Sequence, residues 1–348
     1  MPSNIVLVTG VAGDLGGKLL ARLGNNPGFE RVIGVDTAPP AKSVLQRMGN
    51  AEFVRADIRN PLIAKVISTA EVDTVVHTSC TAHPAGPSRR AAVKEVNVIG
   101  TMRLLAACQR SPLVRKLVVK SSAAVYGAGA RSQAVFSEDS ELIPASSSGY
   151  AKDAVEMEGY VRGLARRRPD ITVTLCRFAN IIGPEVDTVL SRYFALPVIP
   201  TVFGYDARLQ LLHASDALSV LELSTLEDHP GVFNVASEGV LTLSQAIRRA
   251  GRVGLPMPSA VVPSVGKVLR GARVVDFSAD QVRLLNFGRV VDTTKLKQEF
   301  GFTPRWTTRE AFDDYVAGRG LRPVLDGGRL AGLAGKVLVA AATGQASR

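Results

Sequence analysis

The chain opens with an apolar run that leads directly into a glycine-rich loop. Residues 5–8 are all aliphatic, and Gly10, Gly13 and Gly16 follow at intervals of three residues. The apolar positions after the loop recur at helical spacing, namely Leu15, Leu19, Leu20 and Leu23. This pattern predicts a strand, a tight turn and an amphipathic helix.

Strand-like and helix-like patterns alternate through the first half of the chain. After the first strand, apolar runs predict five more, over residues 31–36, 52–55, 73–77, 115–120 and 171–175. The segments between them are predicted as helices, over 41–48, 61–68, 91–109 and 150–168. Such alternation indicates an α/β fold, a Rossmann-type doubly wound parallel sheet with helices on both faces. Ligands of these sheets bind at the carboxyl ends of the strands.

The glycine-rich loop and the second strand indicate a dinucleotide site. Gly10 allows the turn, Gly13 lets a pyrophosphate approach the backbone, and Gly16 lets the helix pack close to the sheet. The N-terminus of that helix faces the anion. Asp36 ends the second strand, 20 residues after Gly16, where a carboxylate binds both ribose hydroxyls and repels a 2′-phosphate. We therefore predict that the cofactor is NAD rather than NADP.

The alternation ends near residue 183, where prolines and glycines become frequent. We expect an NAD-binding Rossmann domain over 1–182 and a smaller C-terminal substrate-binding region over 183–329. Segments 205–225 and 286–295 are expected to return to the Rossmann core. The tail, 330–348, is rich in glycine and alanine and is expected to be flexible.

Composition adds little to this picture. The chain is 46% hydrophobic and 21% charged, as in soluble globular proteins. Its formal charge is +11, but the densest basic run, Arg166 to Arg168, closes a predicted helix, where cations suit the helix dipole. We expect no nucleic-acid partner and no metal site. Three unevenly spaced cysteines suit a reducing compartment, and no apolar run has membrane-spanning length. A cytoplasmic location is expected.

Further motifs follow the glycine loop in order. They are Asp57-Ile58, His77 to Cys80, Asn97 to Thr101, Ser121 to Gly127, Tyr150 to Ala154, Arg177 to Pro184, Asp292-Thr293 and Gly301 to Pro304. Together they resemble the extended short-chain dehydrogenase/reductases, the NAD-dependent epimerase/dehydratase group that includes UDP-galactose 4-epimerase. The resemblance covers roughly residues 4–320.

The resemblance implies roles for individual residues. Cofactor contacts are implied for Gly10, Gly13, Asp14, Leu15, Gly16, Asp36, Asp57, Ile58, Thr78, Ser79, Cys80, Asn97 and Tyr150. Ser122 would orient the substrate oxygen, Tyr150 would be the acid/base, and Asn180 would contact the substrate. It also implies a nucleotide-sugar substrate and a homodimer that pairs the two long helices.

One departure from the group concerns the catalytic lysine, which should stand four residues after Tyr150. Ala154 occupies that position. Lys152 cannot simply replace it, because two residues along a helix is about 200° of rotation. Lys120 precedes Ser122 by two on one strand, so both side chains leave the same face of the sheet. Lys120 either reaches the ribose or Tyr150, or its ammonium emerges at the strand end or pairs with a carboxylate.

A second departure concerns the arginine that grips the diphosphate in sugar-nucleotide epimerases. If Asp216 is aligned with the group's aspartate, that position falls on Leu209, and Arg208 stands one residue away. A one-residue shift on a strand sends a side chain to the opposite face. Arg208 stays a candidate phosphate ligand if the alignment slips.

Three functions are compatible with these residues. The first is an NAD-dependent epimerase or dehydratase that acts on a hydroxyl of a nucleotide sugar, as UDP-hexose 4-epimerases do. The second is a dehydrogenase of a sterol-like or lipid alcohol, with the amphipathic segment 255–273 as a lid. The third is a non-catalytic NAD(H)-binding sensor or scaffold that has lost the lysine.

Overall fold

The computed structural model describes residues 4–79, 87–143, 149–258 and 279–324. Its centre is a seven-stranded, all-parallel sheet. With strands numbered along the whole chain, the sheet contains β1 (Ile5–Thr9), β2 (Arg31–Asp36), β3 (Ala51–Arg55), β4 (Thr74–His77), β5 (Lys116–Ser122), β6 (Thr172–Phe178) and β11 (Gly231–Val235). Their spatial order is β11-β6-β5-β4-β1-β2-β3. The strand order reverses between β1 and β4, which places the ligand crevice there.

Helices cover both faces of the sheet. Those of the first half are α1 (Asp14–Gly24), α2 (Lys42–Leu45), α3 (Leu62–Thr69), α4 (Pro87–Lys94), a π-helical turn (Glu95–Gly100), α5 (Thr101–Arg110) and α6 (Tyr150–Arg167). One face packs against α3, α5 and α6 through side chains such as Ile63, Leu104 and Met157. The other packs against α1 and, from the second half, α8 (Ala214–Leu226). The Rossmann-type α/β prediction is therefore confirmed.

The second half adds three small two-stranded sheets. They pair β7 (Asn180–Ile182) with β10 (Leu211–His213), β9 (Arg208–Leu209) with β12 (Leu241–Thr242), and β8 (Val198–Val202) with β13 (Val253–Met257). The remaining helices are α7 (Val189–Ala195), α9 (Leu243–Arg249), α10 (Ala279–Phe287), α11 (Thr294–Gln298) and α12 (Thr308–Gly318). A separate aromatic core, which includes Tyr193, Phe194, Phe312 and Tyr315, lies among these elements.

Two local expectations need correction. The seventh strand of the sheet, β11, was not predicted, because its five residues follow Pro230 and show little alternation. The start of the segment expected to be helical, 255–273, is wrong: residues 255–257 belong to β13, where pairing with β8 satisfies their backbone. Residues 259–278, and with them most of the proposed lid, lie outside the described residues.

The dimer stays a prediction. Met157, Val161 and Leu164 of α6, one of the two long helices, are buried in this chain's own core. Ile99 and Met102 on the neighbouring helical segment are each 38% exposed. In the part of the chain that the structure describes, no helix has the length and hydropathy to cross a bilayer.

A buried ion pair joins α6 to β6 near the carboxyl end of the sheet. The side chains of Glu158 and Arg177 are 0% and 3% exposed, and Arg177 Nη2 donates to Glu158 Oε2 over 2.8 Å. Ser121 Oγ, on β5, donates to Glu158 Oε1 over 2.6 Å. A buried carboxylate is costly unless it is paired and hydrogen-bonded. The pair therefore fixes the positions of β5, β6 and α6 relative to one another.

The same arginine extends the network to the edge strand. Arg177 Nη1 donates to the Tyr126 hydroxyl over 2.8 Å and to the Glu138 carbonyl over 2.9 Å. The Tyr126 hydroxyl donates to Asn234 Oδ1 over 2.7 Å, and Asn234 N donates to Glu138 Oε1 over 2.8 Å. Burial raises the pKa of Glu138 above its ordinary value. Strand β11 and the loop after β5 are thereby joined to the same cluster.

We expect Glu158→Ala to lower the free energy of unfolding by about 3–5 kcal/mol, because it leaves the Arg177 guanidinium buried without its carboxylate. The control is Arg162→Ala. Arg162 is 46% exposed and donates to the same carboxylate over 3.2 Å, so its loss should cost less than about 1 kcal/mol. Urea unfolding of both variants measures the difference. Equal losses of unfolding free energy in the two variants would show that the buried pair contributes no more to stability than the exposed contact.

Candidate active site

The glycine-rich loop fits a pyrophosphate closely. Gly10 has φ +81°, and a Cβ there would lie 2.7 Å from the Ser79 backbone nitrogen. A Cβ on Gly16 would lie 2.5 Å from Thr78 Oγ1 and would overlap the Gly10 carbonyl. A Cβ on Gly13 would meet only the Gly10 carbonyl oxygen, at 3.3 Å. The absence of a side chain at Gly10 and Gly16 therefore lets the loop pack against the sheet. Gly13 leaves the outer side of the loop open.

The first turn of α1 is available to an anion. Gly13 precedes the helix, and no described side chain caps it. The first N–H groups of a helix have no partner within it, so those of Asp14, Leu15 and Gly16 can donate to phosphate oxygens. Asp36 lies beside this loop, where its Oδ2 accepts from Ala12 N over 3.0 Å. The loop and the carboxylate together fit the two ends of an adenosine diphosphate.

Asp57 has less capacity for a ligand than the resemblance implies. Its two oxygens accept from Arg59 N, Nε and Nη2 over 2.7–3.0 Å. The hydrogen bonds from Arg59 hold the pKa of Asp57 below its ordinary value. An adenine amine would have to share a carboxylate that is already well satisfied. Ile58 is buried against Gly100, on the π-helical turn.

A buried histidine at the end of β4 connects three parts of the cofactor crevice. Thr101 Oγ1 donates to the Asn97 carbonyl over 2.6 Å, so the bond of 2.8 Å between Thr101 Oγ1 and His77 Nε2 needs a proton on Nε2. His77 Nδ1 then accepts from Thr9 Oγ1 over 2.7 Å. Ser79 Oγ donates in turn to Thr9 Oγ1 over 3.2 Å. This chain of bonds fixes a neutral imidazole.

The charge state of His77 agrees with that chain of bonds. Burial and, to a smaller extent, the charge of Lys120 lower its pKa to about 4. Thr78 and Asn97 are buried here as well. Cys80, the last residue of this motif, lies outside the described residues.

Ser122 is the last residue of β5, and Tyr150 is the first residue of α6. Ser122 Oγ accepts from Ala124 N over 3.1 Å and so caps a 3₁₀ turn, Ala123–Tyr126. That bond uses a lone pair of the hydroxyl, and the proton can still be donated. Tyr150 is the first residue of α6, and Ala154, one turn later, packs in one cluster with Ala123. Tyr150 itself packs against the core on the side of the sheet that α3, α5 and α6 cover.

Apolar side chains surround position 154, where the group would have its lysine. Ala154 is fully buried with Val125, Tyr126, Phe136 and Val291. A lysine there would have to bring its ammonium through this cluster, and burying an ammonium without a partner is costly. The packing at position 154 accommodates an alanine rather than a lysine. A positive charge near Tyr150 would therefore have to come from another element.

The residues expected to bind the substrate are spread over two strands. Asn180 begins β7, which follows β6 directly, and is partly buried. Leu209 is 1% exposed in the aromatic core of the second half. Arg208 points the other way, is exposed, and donates from Nη2 to the Ala134 carbonyl over 3.0 Å. The opposite orientations of the two side chains agree with the strand alternation. Arg208 as a phosphate ligand stays a prediction.

Sequence reasoning missed the residues that hold this site together. The carboxylate of Glu158 and the guanidinium of Arg177 were not singled out, although a charged residue within the apolar strand 172–178 is itself a signal. Arg289 was also missed. Its Nε donates to the Gly127 carbonyl over 2.7 Å, and it lies close enough to Tyr150 and Asp280 for their charges to affect its pKa. Among the described residues, no group of three or more His, Cys, Asp or Glu could hold a metal ion.

Comparison with known proteins identifies the family to which this site belongs. Residues 6–236 match the NAD-dependent epimerase/dehydratase family. The chain belongs to this family. As a member, it is an enzyme and its cofactor is NAD. The loop, the uncapped helix and Asp36 are where the structure fits that cofactor.

Relatives and solved structures agree with the assignment. An uncharacterized protein of Mycobacterium tuberculosis is 51% identical over 335 residues, which covers 96% of this chain and 89% of that protein. The UDP-glucose 4-epimerase of Thermotoga maritima, solved with UDP-glucose, has a TM-score of 0.69 at 22% identity, covering 90% of this chain and 98% of its own. The dTDP-glucose 4,6-dehydratase of Bacillus anthracis, solved with NAD, has a TM-score of 0.69 at 19% identity, covering 91% and 96%. These two likenesses show a shared fold.

We expect Asp36→Asn to weaken NAD binding at least tenfold, or about 1.4 kcal/mol, because a neutral amide accepts hydrogen bonds from the ribose more weakly. The affinity for NADP should rise relative to NAD, since the repelling charge is gone and Arg55 lies opposite Asp36 on β3. Calorimetric titration with both dinucleotides measures this ratio. Thr37→Ala, which keeps the carboxylate, is the control. An unchanged NAD/NADP ratio in Asp36→Asn would contradict the assignment.

The stability of this family member should depend on the protonation of His77. Because the pKa of His77 falls to about 4 in the folded state from 6.5, the unfolded chain takes up the proton first as the pH falls. The stabilisation is complete above pH 6.5 and is lost toward pH 4, by about 1.4 kcal/mol per pH unit. In His77→Gln this slope should be missing. Urea unfolding of both proteins between pH 4.5 and 7 gives the two slopes, and parallel slopes would rule the explanation out.

Proposed function

We propose that this enzyme oxidises and reduces a ring hydroxyl of a nucleotide sugar, in the manner of a UDP-hexose 4-epimerase. The observation that supports the proposal most is that Ser122 ends β5, at the carboxyl edge of the sheet, and that Tyr150 begins α6. The shared fold with enzymes that were solved with UDP-glucose or that act on dTDP-glucose is a second support. The partly buried Asn180, on the strand that follows β6, is suited to contact the sugar nucleotide.

Each protein group has a separate task in this reaction. NAD, when bound, would supply the acceptor for a hydride from the carbon that bears the hydroxyl and the donor for its return. Tyr150 removes the hydroxyl proton as general base and gives it back as general acid. Ser122 donates a hydrogen bond to the same oxygen and fixes its position. The proton thus stays at the phenol oxygen of Tyr150 between the two directions of transfer.

A phenol needs help to act as a base at neutral pH. With a pKa of about 10, roughly one unassisted tyrosine in a thousand is ionised at pH 7. We assign the positive charge that favours the phenolate to Lys120. It leaves β5 on the same side as Ser122, two residues earlier, and its charge already acts on His77 at the end of the neighbouring strand.

The experiment described below also distinguishes two other functions. A chain that lacks the usual lysine could be an NAD(H)-binding sensor, and the apolar surroundings of Ala154 are the observation in favour of it. A dehydrogenase of a sterol-like or lipid alcohol would share Tyr150 and Ser122 but would ignore nucleotide sugars. Either would bind NAD, and neither would interconvert UDP-hexoses.

We expect the protein with NAD to interconvert UDP-galactose and UDP-glucose, and Lys120→Met to slow this reaction by about 100-fold or more. The acid side of its pH–rate profile should move to higher pH, because the phenolate loses its neighbouring charge. The matched control is Lys152→Met, which removes the same charge from α6, two residues from Tyr150. Its rate should stay within about twofold of the unchanged protein, since the side chain points away from the phenol's face.

The results separate the functions. Turnover that Lys120→Met leaves intact would exclude the role of Lys120 but not the epimerase function. No turnover of either UDP-hexose by an NAD-loaded protein would exclude the epimerase function. In that case, oxidation of a hydrophobic alcohol would point to the second function, and a difference between the affinities for NAD and NADH without any oxidation would point to the sensor.

A further inference from the structure

A second group of chemically reactive side chains lies at the junction of β10 and α8. His213 is the last residue of β10 and the N-cap of α8, and Ser215 is the second residue of that helix. Asp314 belongs to α12 and reaches the same histidine from 101 positions further along the chain. Serine, histidine and aspartate within hydrogen-bond distance of one another are the set that serine hydrolases use.

The hydrogen bonds fix the roles of the two imidazole nitrogens. His213 Nδ1 accepts from Ser215 N over 3.2 Å, so this nitrogen carries no proton. The proton is then on Nε2, which donates to Asp314 Oδ2 over 3.0 Å. Ser215 Oγ lies 2.6 Å from Nδ1 and donates to it. The three side chains are therefore linked in the order of a nucleophile, its general base and the carboxylate that orients the base.

Trp306 covers one face of the same imidazole. The centroids of the two rings are 4.3 Å apart, and their planes are inclined by 23°. Trp306 N donates to Asp216 Oδ2 over 3.1 Å, which fixes the backbone that carries the indole. An aromatic face attracts a cation, and so does the carboxylate of Asp314. Both groups therefore favour the imidazolium that forms when His213 takes the proton of the serine.

A helix cap accounts for only part of this arrangement. Capping needs an acceptor for an N–H group of the first turn, and His213 Nδ1 provides it to Ser215 N. It requires neither the hydroxyl of the serine nor a carboxylate on the opposite nitrogen. A general base, in contrast, needs a proton donor on one nitrogen and an orienting partner on the other.

The group is accessible and lies apart from the NAD site. Ser215 is partly exposed, and the side chain of Asp314 is 33% exposed. Helix α8 packs on the sheet face that α1 covers, whereas Tyr150 packs on the opposite face. The N–H groups of the first turn of α8 are directed toward the same end of the helix, where they can donate to an oxyanion.

We propose that Ser215, His213 and Asp314 form a second catalytic centre, which hydrolyses short-chain carboxylic esters. Ser215 Oγ attacks the carbonyl carbon of the ester while His213 Nδ1 takes the hydroxyl proton. The bond to the alcohol oxygen then breaks, and the alcohol leaves with that proton, so that an acyl ester of Ser215 remains. Water, with His213 again as base, cleaves this ester, releases the carboxylic acid and restores the serine. A short acyl group is favoured because Ser215 is only partly exposed.

The test is hydrolysis of p-nitrophenyl acetate by the full chain, with the release of p-nitrophenol followed from the first seconds. We expect an initial burst of about one equivalent per chain, because the acyl ester of Ser215 forms before it is cleaved. A fluorophosphonate should form an adduct on the peptide that contains Ser215. Ser215→Ala should abolish the adduct and lower the rate of hydrolysis about 100-fold or more.

The matched control is Ser219→Ala. Ser219 lies one turn later on α8, and its Oγ accepts from Arg22 Nη1 over 3.3 Å. Its replacement should leave the rate within about twofold of the unchanged protein. Urea unfolding of both serine variants shows that they are folded, so that a lost rate is not mistaken for a lost fold.

Asp314 acts through His213 and is a positioning residue. Asp314→Asn should slow the burst at least about tenfold, because the imidazolium loses its negative partner. Asp314→Glu keeps a carboxylate and should recover part of that rate. A purely structural role would instead appear as equal losses of stability in the two variants, with no difference between their burst rates, and would contradict the assignment of Asp314.

Three results would overturn the second centre. They are hydrolysis that Ser215→Ala leaves unchanged, a fluorophosphonate adduct on a residue other than Ser215, and the absence of both burst and adduct in the unchanged protein. Saturating NAD should not alter the rate of ester hydrolysis, since the two sites lie on opposite faces of the sheet. Interconversion of UDP-hexoses is measured separately, so the proposed function stands or fails independently of this inference.

Discussion

The site depends on the buried pair of Glu158 and Arg177. Either charge would be very costly to bury without its partner. The elements that carry the two residues must therefore keep the relative positions in which the pair forms. Ser121, which donates to Glu158, is followed directly by Ser122. Glu158 lies on the helix that Tyr150 opens. The cost of separating the pair therefore restrains the start of α6 relative to the end of β5.

The glycine loop and the sheet could be predicted because their signals are local. Three glycines at fixed spacing, an acidic residue at the end of the next strand, and alternating strand and helix patterns each lie within a few tens of residues. Strand β11 could not be found in this way. Its place beside β6 is set by the paired strand and by the Asn234 contacts to Tyr126 and Glu138, which join residues about a hundred positions apart.

Arg289 is a second example of a residue whose contacts could not be predicted from its neighbours in the sequence. Nothing near it in the sequence distinguishes it from the other arginines. Its place beside the turn after β5 arises because Gly288 lets the chain pack on Arg208 and because the guanidinium then donates to Gly127, 162 residues away. The loss of the lysine at position 154, by contrast, was visible in the sequence. What the structure adds is that an apolar cluster now fills that place.

The apolar cluster around Ala154 bears on how a phenolate at Tyr150 would be stabilised. A charged side chain at that position would have to be buried among apolar groups. His77, at the end of β4, cannot supply the charge, because its burial and its bonds to Thr9 and Thr101 keep it neutral. Under the proposed function the positive charge therefore has to come from a strand of the sheet rather than from α6, and Lys120 on β5 is the residue proposed for it.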